Sequence, residues 1–231
     1  MVTGRETQIV GETPLPFPNL IGVGSILHWS DEHSILWGCG LIAPDLCYES
    51  PAEVLAVRGR LTRDDLVARG VRCPDILGDI GLLLPDLIAA SEPIHSLGLI
   101  PHYVDADSEF VQACRRDEVL VIDVAEPPEV FVKQLTSCRR IVSSSLHGIV
   151  IAHAYGIEAI WVKISEGVHG GGFKFLDYYT SLGLTPADVL MMSPRYHTIG
   201  QMADACWCPD ALPDRALLRQ VLKQRVAVLD Q

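Results

Sequence analysis

The stretch Arg140-Ile-Val-Ser-Ser-Ser-Leu-His147-Gly-Ile-Val-Ile-Ala-His-Ala-Tyr-Gly156 sets three consecutive hydroxyls and a histidine between two apolar runs. Hydroxyls can donate hydrogen bonds to an anion, and an imidazole of ordinary pKa, about 6.5, gives and takes protons near neutrality. Ile141 and Val142 read as the end of a strand and Gly148 to Tyr155 as a helix, which places Ser143 to His147 on the connecting turn. In an open parallel sheet ligands gather outside the carboxyl ends of the strands, and the N–H groups of the next helix favour a phosphate or carboxylate. His147 is therefore the first candidate for proton transfer or for contact with a bound anion, with Ser143, Ser144, Ser145 and Gly148 around it. Serines also cap helices, and the sequence weighs the two roles equally.

Other residues with chemical potential stand at the ends of apolar runs. Gly38 and Gly40 close the run from Ile35, where glycine lets backbone approach a ligand or simply makes a tight turn. Arg58 follows the run Val54 to Val57, and a planar guanidinium suits an anion carrying several oxygens. Arg60, Arg63 and Lys174 are further cations that surface solvation explains equally well. Asp79 accepts from a hydroxyl or caps a turn, and His102 ends a strand on the cleft side. The Gly-x-Ser-x-Gly pattern of a hydrolase nucleophile does not occur around the serines.

The elements that must position these groups alternate along the chain. Strand-like runs fall at Leu20 to Gly24, Ile35 to Gly40, Val54 to Val57, Ile76 to Asp79, Leu97 to His102, Val119 to Asp123 and Glu158 to Val162. Helical patterns fall at Arg63 to Arg69, Ser108 to Arg115, Pro127 to Cys138, Phe175 to Leu182 and Pro213 to Leu229. Thr62 and Asp65 resemble a capping box for the first of these. This βα alternation predicts an α/β protein with parallel sheets. The linker Ile88 to His95 divides it into two Rossmann-like halves, 1–93 and 94–231, with a central cleft. The first half opens with a polar, proline-rich arm over residues 1–19, and the last helix carries Leu217, Leu218, Val221, Leu222, Val226 and Leu229 on one broad face. That face is expected to pack on the body, with membrane-surface docking as the lesser alternative.

Composition narrows the class. The 231 residues are 48% hydrophobic and 20% charged, which excludes a largely disordered chain. A formal charge of −11 without a basic stripe argues against nucleic acid as a partner while leaving room for an anionic small molecule. Seven cysteines without repeated spacing fit a reducing, cytoplasmic setting. The pair Cys206 and Cys208 lacks the second pair of a zinc site, so no metal is expected. The N-terminus shows no signal-peptide pattern, and no apolar stretch is long enough to span a membrane.

Several segments, in order, carry a family resemblance: Gly22 to Leu27, Ile35 to Gly40, Val57-Arg-Gly-Arg-Leu-Thr-Arg63, Leu77 to Leu83, Ile100-Pro-His-Tyr103, Ser143-Ser-Ser-Leu-His-Gly148 and Gly172-Phe-Lys-Phe-Leu-Asp-Tyr178. Over residues 20–182 the chain resembles the polysaccharide pyruvyl transferases, particularly the bacterial exopolysaccharide members. The resemblance implies a fold similar to two-domain, GT-B-like glycosyltransferases, and transfer of a pyruvyl group from phosphoenolpyruvate to a sugar as a cyclic ketal. It implies no cofactor beyond that donor. The acceptor would be a sugar of a surface or extracellular polysaccharide, on a lipid-linked oligosaccharide at the inner face of the cytoplasmic membrane, with peripheral membrane contact.

The resemblance places an anion-binding arginine at Arg58 and the proton-transfer group, or a phosphate-side electrophile, at His147. Two departures stand out. Nothing before Leu20 matches the extra strand and Asn-Phe-Gly-Asp type loop with which members begin, so the N-terminal half is expected to be incomplete. Some members have an arginine two residues before the motif histidine, where this chain has Ser145. The alternatives are a nucleotide-sugar glycosyltransferase and a non-catalytic binding protein of the polysaccharide assembly machinery.

Overall fold

The computed structural model describes residues 18–117 and 119–229. The polar arm expected over residues 1–19 therefore lies outside the described residues up to residue 17. The chain forms two compact units. The first takes the segments ending at Ile80, Leu176–Pro186 and everything from Pro213; the second takes Gly81–Phe175 and Ala187–Leu212.

The first unit is built on a parallel sheet of β1 (Asn19–Ile21), β2 (Ser34–Trp37) and β3 (Glu53–Ala56) in that order. A single bridge between Val57 and Leu77 is all that forms where a strand was expected over Ile76 to Asp79. Leu36 and Ala56 are fully buried, as strands covered on both faces require. The next element, α1 (Arg60–Ala68), starts earlier than its sequence pattern indicates. Thr62 is not its cap; it lies within the helix, and the N-cap position falls to Gly59.

The second unit contains β4 (Gly98–Ile100), α2 (Glu109–Arg116), β5 (Leu120–Val121), α3 (Pro128–Thr136), β6 (Arg140–Ser143), α4 (Leu146–Ala154) and β7 (Glu158–Val162). The unit boundary then falls inside α5 (Phe173–Ser181), and β8 (Met191–Met192) and α6 (Ile199–Asp204) complete the second unit. Its sheet is parallel throughout, in the order β5-β4-β6-β7-β8. Ile141 and Val142 are both fully buried, and Val142 packs with Leu99, Val111, Ile160, Met192 and Met202 on the face covered by α2 and α6. Every residue of α4 from Gly148 to Ala154 is buried, which accounts for its apolar character on all sides. The last helix, α7 (Arg215–Leu229), belongs to the first unit: it packs on β3, buries Leu218 and Leu222, and accepts a 2.8 Å bond from Trp37 Nε1 at the Leu218 carbonyl. Among the described residues no helix is long and apolar enough to cross a membrane.

The strand order fixes where a ligand site can form in the second unit. From β4 the chain crosses through α2 to β5 on one side, whereas β6 lies on the other side of β4 and leads through α4 to β7. The loops after β4 and β6 thus depart in opposite directions and leave a crevice at the carboxyl ends of these two strands.

Candidate functional site

The crevice brings together His102, Ser143, Ser144, Ser145, His147, Gly148 and, from the start of α5, Lys174. At its base is a residue that sequence reasoning missed. Asp105, buried in the turn after β4, accepts from the Ser144 hydroxyl at 2.7 Å and the Ser165 hydroxyl at 2.5 Å. Its backbone N–H donates to the His102 carbonyl at 2.8 Å. Ser144 Oγ also accepts from the His102 backbone N–H at 2.8 Å. One carboxylate therefore joins the loops after β4, β6 and β7. No local signal marks Asp105, since a carboxylate in a turn beside Asp107 and Ser108 is expected to face water.

The serines take structural bonds. Ser143 Oγ donates to the Ile100 carbonyl at 2.9 Å and accepts from the Ser145 N–H at 3.0 Å, which holds the turn against β4. Ser145 occupies the N-cap of α4 without a side-chain capping bond. A Cβ added to Gly148 would collide with Ser143 Oγ and come within 3.1 Å of Ile100 Cγ2, so glycine here lets α4 approach the strands. His147 stands half-buried at the second position of α4, beside the helix N-terminus.

His102 is half-buried, its Nδ1 accepting from the Val104 N–H at 3.4 Å and its ring lying 4.3 Å from that of Tyr103. Burial holds its pKa below the ordinary 6.5, the Lys174 ammonium pushes it in the same direction, and Asp105 opposes both. Lys174 is itself buried, its Nζ 5.8 Å from the centre of the Phe175 ring. Phe175 stacks on Trp161 at 4.5 Å with the planes 8° apart. Gly172, at φ +95°, precedes α5, and a side chain there would reach 2.5 Å from Trp161 Cη2. Ser144, Ser165, Trp161, Lys163, Glu166 and Phe175 line a small pocket of about 30 Å³, room for water rather than a sugar. The crevice thus pairs a buried cation and a helix N-terminus, both suited to an anion, with two imidazoles able to move protons.

The remaining candidates lie in the first unit. Arg58 is fully buried and each of its three nitrogens has a partner: Nε reaches Asp177 Oδ2 at 2.9 Å, Nη1 reaches Ser25 Oγ at 2.6 Å, and Nη2 reaches the Leu41 carbonyl at 2.6 Å and Asp177 Oδ2 at 2.9 Å. In this arrangement the guanidinium serves a carboxylate of its own chain, and an incoming phosphate would have to displace it. Asp177 also accepts from the Thr62 N–H at 2.8 Å and the Thr62 hydroxyl at 2.7 Å, while Thr180 accepts from the Arg60 N–H at 2.8 Å. Two residues of α5 thereby cap α1, which is why its N-cap residue needs no side chain.

Gly40 clears space for the Arg58 pair, since a Cβ there would lie 2.5 Å from Arg58 Cζ. Gly38, at φ +78°, makes the preceding turn against Ile80. Asp79 is fully buried; burial pushes the neighbouring Cys39 thiol up to about 12, with Arg58 opposing and the Asp79 charge adding to it. Arg63, partly exposed, pairs with the exposed Asp64 and Asp75 at 3.3 and 3.5 Å. Among the described residues no group of three or more His, Cys, Asp or Glu gathers to hold a metal ion, and all seven cysteines are free.

Comparison with known proteins agrees with the motif pattern. The family model for polysaccharide pyruvyl transferases matches residues 45–166, more than half of the chain, from β3's approach through the serine turn to the loop holding Ser165. The uncharacterized protein L143 of Acanthamoeba polyphaga mimivirus is 37% identical over 192 residues, covering 80% of this chain and 67% of that protein. The succinoglycan biosynthesis protein ExoV of Rhizobium meliloti is 23% identical over 181 residues, covering 72% of this chain and 54% of its own length. The chain thus spans about two thirds of the first relative and about half of the second. No solved structure matches it significantly. By the extent of the family match, which includes both the arginine segment and the serine-histidine turn, this chain belongs to the polysaccharide pyruvyl transferase family.

Proposed function

We propose that the chain transfers a pyruvyl group from phosphoenolpyruvate to two hydroxyls of a polysaccharide sugar, with the crevice at the switch point as the donor site. The observation that carries this reading is the gathering of His102, His147 and Lys174 around the serine turn in a chain of this family. Lys174 and the first turn of α4 are the positive groups for the donor's phosphate and carboxylate. His147 protonates the donor's methylene carbon, which makes the adjacent carbon electrophilic. One sugar hydroxyl attacks that carbon, the carbon–oxygen bond to phosphate breaks, and a second hydroxyl closes the ketal. The two hydroxyl protons leave through the histidines and released phosphate. Arg58 acts at one remove, holding the loop of Gly40 and Leu41.

The polysaccharide acceptor is carried over from the family and from a relative named for succinoglycan biosynthesis. A lipid-linked saccharide at the inner membrane face, a cytoplasmic location and a GT-B-like fold complete the proposal. Isothermal titration with phosphoenolpyruvate tests it. The wild-type chain should bind saturably, Lys174→Gln should weaken binding, and His147→Gln should bind yet release no phosphate when sugar acceptors are added. A folded wild-type chain that ignores phosphoenolpyruvate but is stabilised by nucleotide sugars would replace this reading with glycosyl transfer.

A further inference from the structure

Six aromatic residues of the chain, Trp37, Phe131, Trp161, Phe175, Tyr178 and Tyr179, are buried in its core. Tyr103 is 72% exposed although it lies directly after His102 at the crevice, and its neighbour Val104 is 43% exposed. Together they form an exposed apolar pair beside a site of hydroxyls, a lysine and histidines, a surface that a ligand with an apolar face can cover.

The Tyr103 ring is held in place. Its neighbours on both sides are pinned to the base of the crevice, His102 through its backbone N–H to Ser144 and Asp105 through the Ser144 and Ser165 hydroxyls. One face of the ring lies against the His102 imidazole, 4.3 Å away and tilted by 36°. Val104 continues the apolar surface to the loop after β7, its Cγ2 only 3.6 Å from where a Gly167 Cβ would stand. Tyr196, at 71% exposure, follows the edge strand β8 and has Arg195 over its ring at 5.5 Å, so its surroundings are cationic and away from the switch point.

We infer that Tyr103 is a sugar-binding platform, its open face receiving the C–H face of a pyranose at the mouth of the crevice. The electron-rich face of an aromatic ring attracts the polarised C–H bonds of one side of a pyranose, while the sugar's hydroxyls remain at the rim. A ring seated there lies next to His102, which fits an acceptor whose hydroxyls must reach the reacting carbon. The ligand class rests on the pyruvylation reading above; the platform itself rests on the ring's exposure and its fixed place beside His102.

Saturation-transfer NMR on the full chain with methyl β-galactoside, methyl β-glucoside and methyl α-mannoside tests this directly. At least one glycoside should receive saturation through the C–H groups of one face. Tyr103→Ala should weaken that binding about tenfold, and Tyr103→Trp should retain it. Because the side chain is exposed, the variants should melt with wild type. Equal saturation in wild type and Tyr103→Ala, or none in wild type, overturns the platform. So does loss of phosphoenolpyruvate binding in Tyr103→Ala, which would put the ring in the donor site. Glycoside binding that depends on Tyr103 in a wild-type chain unable to bind phosphoenolpyruvate sinks the pyruvylation reading and leaves the platform standing.

Discussion

Replacing Asp177 with Asn should unfold this protein more readily than any loss of a surface charge. The substitution keeps the side-chain volume and one oxygen for Thr62, but it leaves the Arg58 guanidinium buried without its counter-ion. Removing one partner of a fully buried pair costs about 3–5 kcal/mol, because the remaining charge keeps its desolvation penalty. At about 2–4 °C per kcal/mol for a chain of this size, the expected fall in melting temperature is about 6–20 °C. Circular dichroism melts at pH 7.5 would measure it. Arg58→Met combined with Asp177→Asn should melt above Asp177→Asn alone, since the stranded cation is gone and the linear side chain still fills the space beside Gly40. A single variant within about 2 °C of wild type, or a double variant whose loss equals the sum of the singles, would refute the account. The folded double variant also separates structure from ligand binding. Retained affinity for phosphoenolpyruvate makes Arg58 an internal brace, whereas a loss of about a hundredfold, near 3 kcal/mol, makes it a ligand.

Gly148→Ala should destabilise the second unit by about 1–3 kcal/mol, since its methyl group meets Ser143 Oγ and must push α4 off the strands; urea unfolding would show it. Lys174→Gln should raise the pKa of His102 by removing a neighbouring cation, and Asp105→Asn should lower it, both followed by NMR titration of the imidazole C–H signals. His153, fully buried against Trp207, has its pKa pushed down to about 4 by burial, with a bond to the Trp207 backbone opposing. The folded chain thus holds this imidazole neutral, and its contribution is complete above pH 6.5 and lost as pH falls towards 4. About 3 kcal/mol should disappear over that window, and the difference in urea midpoint between pH 7.5 and 4.5 should shrink in His153→Phe.

The parts of the fold that could be read from sequence are those where one residue's environment is dictated by its near neighbours. Parallel strands covered on both faces appear as unbroken apolar runs, so β6 and β7 were legible, as was the turn carrying Ser143 to His147. What could not be read depended on distant residues. Thr62 and Asp65 have the spacing of a capping box, yet α1 is capped by Asp177 and Thr180, more than a hundred positions away. Thr62 thereby enters the helix, where its hydroxyl accepts from the Leu41 N–H in the loop after β2. A true capping box does occur where none was predicted, between Thr198 and Gln201 at the start of α6, and its Thr-x-x-Gln spacing was there to be found. The two-residue strand β8 is too short for any alternation to show.

The same distinction bears on how a motif's charged residue is interpreted. An arginine after a strand and an arginine that binds phosphate look identical in sequence, because both need a glycine nearby and a loop to carry them. Here the glycines show what the arginine is packed against. A Cβ at Gly40 would strike the Arg58 guanidinium and lie 2.8 Å from Asp177 Oδ2, and one at Gly59 would strike the Asp177 backbone. Their lack of side chains makes room for the buried pair of Arg58 and Asp177. Gly148 clears Ser143 in the same way, so that α4 can bring His147 to the crevice. In both units the small residues of the motif set the distance between elements, and in the second unit they bring the turn of Ser143 to His147 against β4, the strand that leads to His102.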